Sequence, residues 1–257
     1  MKWLAIAALV VLALYVVMCC ILYVMQDRLL YFPTPEGQPQ GATPVVIHSG
    51  ELALTVWQLH GEESDALVYF GGNAEDVAAK ISEFAPTFTD RAIYLVQYRG
   101  YGGNPGSPSE SLLITDGQAI YDHIRSRHQR VAVMGRSLGS GVATAVAATR
   151  AVEKLILVTP YDSITNVAAD HYGWAPVRWL VKDSYDSVRR MKDVHAAVLA
   201  IVAGRDEVIG RARSDALVAA IAPAQRHVKI FQEASHNDIT LQPGYRETLR
   251  EFLRTRP

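Results

Sequence analysis

Three residues spread over the second half of the chain carry side chains that can together open an acyl bond. Ser137 stands in Gly135-Arg136-Ser137-Leu138-Gly139, between the apolar run 131–134 and a run of small residues. A serine hydroxyl is a weak nucleophile near neutral pH. It needs a base to take its proton and a carboxylate to orient that base. Asp206, in Gly204-Arg205-Asp206-Glu207, and His236, in Ser235-His236-Asn237-Asp238, supply these types in the order Ser, Asp, His. Each of the three lies just past an apolar run of strand length. That placement fits a nucleophile elbow, in which a sharp strand-to-helix turn lifts the serine clear of a sheet. Asp206 follows the penultimate strand and is the preferred acid; Glu207 and Asp162 stay open as alternatives. Negative charge growing on a substrate oxygen calls for main-chain N–H donors. Leu138, next after the serine, offers one. The loop Phe70-Gly71-Gly72-Asn73 offers the other, with Asn73 as the candidate, and a plain turn capped by Asn73 is compatible with that role.

Other chemistries find little support. His48 and His227 fall within or at the edges of strands, and His123 and His128 on a helix. His60 falls in a turn, His195 before a strand and His171 in an insert, so these seven read as structural or surface groups. No metal-ligand spacing appears, and the two cysteines, Cys19 and Cys20, lie inside an apolar run. The stretch GRSLGSG lacks the second glycine of a dinucleotide fingerprint. No cofactor is therefore expected. The net charge of −1 gives no basic footprint for nucleic acid. The densest basic patch, residues 125–130, complements a helix C-terminus.

Strand-like and helix-like segments alternate from residue 45 onward. The runs 45–49 and 52–59 form a pair joined by a short connection, which predicts an antiparallel edge. Buried strands follow at 66–70, 92–98, 131–135, 154–158, 198–203 and 227–231. Helices are expected over 74–86, from Ser109-Glu110 to about Arg127, over 138–150, near 212–222 and from about 238, with Asp238 as the cap of the last. This alternation predicts an α/β fold with a mainly parallel sheet flanked by helices, whose ligands bind at the carboxyl ends of the strands.

Residues 3–25 contain no charged residue and no Gly, Pro, Asn or Gln. At about 1.5 Å per residue they reach about 35 Å, enough to cross a hydrocarbon core of about 30 Å. The run exceeds a signal-peptide core and ends without a small-residue cleavage pattern, so an uncleaved transmembrane helix is favoured. Lys2 precedes the run, and Arg28 beside Asp27 follows it. The positive-inside rule places the N-terminus in the cytoplasm and the body of the protein on the opposite side. The expected organisation is an anchor over 1–28, a Pro/Gly-rich lead-in over 29–44 and one domain over 45–257, with a cap-like insert at about 160–190.

The segments FGGNAED, YRGYGGNPGSPSE, GRSLGSG, TPYDS, GRDEVI and SHND occur in family order from about residue 30 to the end. Through them the chain resembles the α/β-hydrolase superfamily, in particular the membrane-anchored BEM46-like and ABHD13/ABHD17-like serine hydrolases. The resemblance implies Ser137, Asp206 and His236 as a catalytic triad, and Asn73 and Leu138 as oxyanion donors. Two positions depart from the family pattern. Gly71 replaces a histidine before Gly-Asn, and Gln97 replaces an aspartate before YRGYG; both bear on the rigidity of the oxyanion loop. The insert carries Tyr161, Tyr172, Trp174 and Trp179, which line an acyl pocket, face the bilayer or pack on the core. The expected activity is cleavage of carboxylic esters or thioesters of a small or lipid-like acyl substrate. The alternatives are a peptidase or amidase on the same triad, and a non-catalytic membrane-tethered binding module.

Overall fold

A computed structural model of the chain describes residues 1–255. Eight strands form one sheet: β1 (Thr43–Ser49), β2 (Leu52–Leu59), β3 (Asp65–Phe70), β4 (Ala92–Val96), β5 (Arg130–Arg136), β6 (Lys154–Val158), β7 (Ala197–Ala203) and β8 (Arg226–Phe231). Their order is β1-β2-β4-β3-β5-β6-β7-β8. β1 pairs antiparallel with β2, and β2 antiparallel with β4; every later pairing is parallel. The antiparallel edge and the parallel body are those the sequence predicts.

Alternation along each strand divides the core between the two faces of the sheet. In β3, Val68 and Phe70 join one buried cluster, whereas Leu67 and Tyr69 join the other. The first face is covered by α3 (Glu110–Arg125) and α4 (Leu138–Ala147), with Ile120, Val142 and Val146 packed inward. The second is covered by α2 (Ile81–Thr87) and α9 (Tyr245–Arg254), through Phe84, Leu249 and Phe252. Both faces being dry explains why β5, β6 and β7 read as continuous apolar runs.

The Ser109 hydroxyl accepts from Leu112 N–H and caps α3 as expected, although the helix ends at Arg125 and leaves His128 in the following loop. Two other helices differ from expectation. The segment expected as one helix over 74–86 is a 3-10 turn at Val77–Lys80 followed by α2, which carries Pro86 in its last turn. The last helix does not start near 238. Ile239–Leu241 is a 3-10 turn, and Pro243-Gly244 delays α9 to Tyr245. Gly244 adopts φ 84°, which other residues rarely reach. Asp238 therefore does not cap α9. Its carboxylate accepts from Ser235 N–H and from the Gln242 amide, bracing the loop behind His236.

The first element, α1 (Lys2–Leu30), is long and apolar enough to cross a membrane, with a mean hydropathy of 3.0 over its most apolar stretch, none of which is buried by the protein. It runs two residues past the anchor boundary drawn from sequence, and β1 starts two residues inside the expected lead-in. Three short helices, α5 (Ile164–His171), α6 (Val177–Leu180) and α7 (Ser187–Met191), make up the insert between β6 and β7. The remaining helix, α8 (Arg211–Ala220), precedes β8.

Candidate active site

Ser137 occupies the junction of β5 and α4 with φ 50° and ψ −120°, a strained conformation for a residue with a side chain. The neighbouring glycines explain why the turn closes. A Cβ on Gly135 would run into the Gly139 carbonyl, and a Cβ on Gly139 would run into the carbonyls of Phe70 and Gly71. The spacing G-x-S-x-G is thus a packing requirement: α4 starts against the end of β3 with no room for a methyl group. The N-terminus of α4 directs its free N–H groups and positive dipole end at the space around the serine hydroxyl.

His236 and Asp206 come to that hydroxyl from the loops after β8 and β7. His236 Nε2 lies 3.0 Å from Ser137 Oγ. His236 Nδ1 lies 2.8 and 3.0 Å from the two Asp206 carboxylate oxygens. A carboxylate at Nδ1 fixes the proton there, which leaves Nε2 as the acceptor of the serine proton. Asp206 also accepts the main-chain N–H groups of Val208 and Ile209, so its loop holds it in place. Both side chains are almost fully shielded from solvent. The alternative acids are engaged elsewhere. Asp162 binds Asn166 and pairs with Arg213 at 3.0 Å. Glu207 accepts the main-chain N–H of His236 at 3.3 Å rather than its ring.

The loop after β3 packs against the serine; a Cβ on Gly72 would stand 3.6 Å from Ser137 Cβ. Among the described residues the main-chain N–H groups of Asn73 and Leu138 have no partner, which leaves both available. Tyr98 donates its hydroxyl to the Gly71 carbonyl at 2.8 Å. Glu75 accepts the Gly72 N–H at 2.5 Å. The Asn73 side chain donates to the Leu30 carbonyl at 2.6 Å and accepts from Phe32 N–H and the Tyr101 hydroxyl, both at 2.9 Å. The loop is therefore pinned at several points even though Gly71 stands where the family carries histidine. Gln97 is buried with its Oε1 unpartnered, and its amide fills the space beside Gly102.

Two residues of this region escape the sequence reading. Arg136 Nη1 pairs with Glu75 at 3.2 Å, and Arg136 Nη2 donates to the His236 carbonyl at 3.2 Å. Glu75 also accepts from the Tyr69 hydroxyl at 2.9 Å. Arg136 thus ties the His236 loop to the loop after β3. Burial opposes its charge, but Glu75 together with the nearby tyrosines outweighs it, and the pKa is raised. Burial, reinforced by Glu75, pushes the Tyr69 phenol well up, so it remains a neutral donor. The only sequence signal for this pair is a charged residue at the end of a buried strand.

The four aromatic residues of the insert are placed apart. Tyr161 is fully buried behind α4 and donates its hydroxyl to the Leu138 carbonyl at 3.1 Å. That corrects its assignment to a substrate pocket: the residue after β6 turns into the core. Tyr172 lines an apolar groove of about 130 Å³ between α1 and the insert, with Leu22, Leu29, Ala168, Val177 and Leu180. Trp174 and Trp179 stand outside this groove, exposed. Ser137, Asp206 and His236 do not line it. Among the described residues no cluster of His, Cys, Asp and Glu is arranged to hold a metal ion.

The chain is 35% identical over 246 residues to an uncharacterized protein of Mycobacterium tuberculosis, covering 89% of this chain and 87% of that one. It is 26% identical over 205 residues to the protein bem46 of Schizosaccharomyces pombe, with 75% and 68% covered. It is 28% identical over 196 residues to the human α/β hydrolase domain-containing protein 17B, with 73% and 65% covered. Among solved structures, the esterase Pf2001 of Pyrococcus furiosus superposes with a TM-score of 0.71 at 13% identity, over 87% of this chain and 98% of that one. No family model matches the chain.

Proposed function

The chain belongs to the α/β-hydrolase superfamily, with bem46 and the α/β hydrolase domain-containing protein 17B among its relatives, and on that premise we propose that it is a membrane-anchored serine hydrolase of carboxylic esters or thioesters. One observation carries the reading: the unbroken hydrogen-bond chain from Ser137 Oγ through His236 to Asp206. Ser137 Oγ attacks the acyl carbonyl carbon while its proton passes to His236 Nε2. Asp206 orients the imidazole and stabilises its cation. The main-chain N–H groups of Asn73 and Leu138 hold the oxyanion. The tetrahedral adduct collapses, the C–O or C–S bond breaks, and His236 returns the proton to the departing alcohol or thiol. Water, deprotonated by His236, then attacks the acyl-enzyme and releases the acid. The catalytic domain is the unit that follows the lead-in, and α1 is its single-pass anchor. The positive-inside reading of Lys2 and Arg28 puts the N-terminus in the cytoplasm and the domain on the far side.

A fluorophosphonate probe on detergent-extracted protein tests the reaction. It should label the wild type and leave Ser137→Ala and His236→Ala unlabelled. A folded wild type that takes no label rules the mechanism out. Protease protection in sealed vesicles tests the sidedness.

A further inference from the structure

We propose that the tip of the insert, residues 172–181, is immersed in the hydrocarbon of the bilayer beside α1, so that the protein holds the membrane with a helix and a re-entrant loop together. This rests on the anchor reading of α1. The tip climbs along that helix. Lys182 N–H donates to Gln26 Oε1 at 2.8 Å, and Gln26 Nε2 donates to the Leu180 carbonyl at 3.2 Å. Farther along, Tyr15 donates its hydroxyl to the Trp174 carbonyl at 3.2 Å, and the two rings meet edge to face at 6.4 Å. From Gln26 to Tyr15 the helix rises about 16 Å. Gln26 opens the polar end of α1, so Trp174 reaches roughly the middle of a hydrocarbon core of about 30 Å.

The outward surface of the tip suits that depth. Trp179 is 89% exposed and Trp174 is 48% exposed, and neither has an apolar partner in the domain that would cover it. Arg178, within the tip, borders a cleft that also holds Asp162 and Asp186, which lets its long side chain reach toward polar groups of the domain. The Lys182 ammonium, next to the tip, lies 4.4 Å from the Tyr23 ring centroid, near the polar end of α1. Part of the tip's backbone is paired internally: main-chain N–H groups of Tyr172, Ala175, Val177, Trp179 and Val181 donate within the insert, and residue 176 is proline. The Trp174 and Leu180 carbonyls are satisfied by α1 side chains. Internal pairing of this kind lowers the cost of placing a non-helical backbone at membrane depth.

The test is a nitroxide scan of the full chain in phosphatidylcholine vesicles, on a Cys19→Ala/Cys20→Ala background. Labels are placed singly through Val10→Cys in α1, Trp179→Cys in the tip and Leu241→Cys at an exposed position of the domain. The ratio of oxygen to nickel-chelate accessibility should be high at 10 and 179 and low at 241. A ratio at 179 matching that at 241, with 10 still high, overturns the immersed tip and leaves the anchor standing. A low ratio at 10 overturns the anchor and the inference with it. A Trp174→Cys label, expected to report at least the depth of 179, covers the case in which the Trp179 variant does not fold.

Discussion

The Ser137 end of the molecule and the α1–insert contact are held together by opposite means. Around Ser137, every buried charge has a named partner, and five loops are fixed to one another through Glu75, Arg136, Asp206, Tyr98 and Asn73. The contact of α1 with the insert is an apolar groove with a handful of polar ties, and its large aromatics lie outside. On the proposed function this bracing of the first region has a purpose, because misplacement of reacting groups by about 1 Å costs about 100-fold in rate. The second is built to be finished by its surroundings.

Substitutions can break this contrast, and the largest effects belong to the catalytic region. Ser137→Ala should lower kcat by about 10⁶-fold with the fold intact by circular dichroism. Asp206→Asn should cost about 10⁴-fold, because the imidazole loses the carboxylate that fixes its tautomer. Glu75→Gln should lower kcat by about 10- to 100-fold with KM little changed, since it loosens the loops without touching substrate. If KM rises instead and kcat holds, Glu75 meets the substrate directly. Ser137→Gly should abolish activity yet raise the melting temperature by about 2–4 °C, by relieving roughly 1 kcal/mol of backbone strain. In detergent, Trp179→Ala should change stability by less than about 0.5 kcal/mol, as expected of a side chain with no protein neighbour to lose. A larger loss there would mean that the tip is part of the core after all.

The mechanism adds a pH test. Only neutral His236 accepts the serine proton, so activity should fall on acidification and be restored on return to neutral pH. A rate that is flat from pH 5 to 9 would speak against histidine as the base.

The legible parts of this chain are those in which local sequence and global position coincide. Ser137, Asp206 and His236 each follow a strand, and a sheet of parallel strands delivers all such positions to one edge, so strand order alone brings them together. The strands themselves read well because both faces of the sheet are apolar. Glu75 and Arg136 were illegible because their pairing depends on β3 and β5 being neighbours, which nothing local to either residue states. Tyr161 misleads for a related reason: an aromatic residue past a strand can turn inward or outward, and the gap left by Gly141 admits its hydroxyl behind α4. The start of α9 is hard to read because Asp238 has the type of a cap, whereas the interruption at Pro243-Gly244 sets the true start at Tyr245.

Asn73 has one further consequence. Its main-chain N–H is the proposed oxyanion donor, while its side chain grips the Leu30 carbonyl and Phe32 N–H at the foot of α1. On the proposed reading, the anchor would be a strut of the catalytic machinery as well as a tether. Cutting the chain after α1 to obtain a water-soluble enzyme removes one of the strut's two fastenings, so such a truncate should turn over more slowly than the intact protein. Lipids of different chain length, by tilting α1 to match their thickness, pull on the same strut. Turnover of a water-soluble ester in vesicles of graded thickness then becomes a gauge of membrane mechanics.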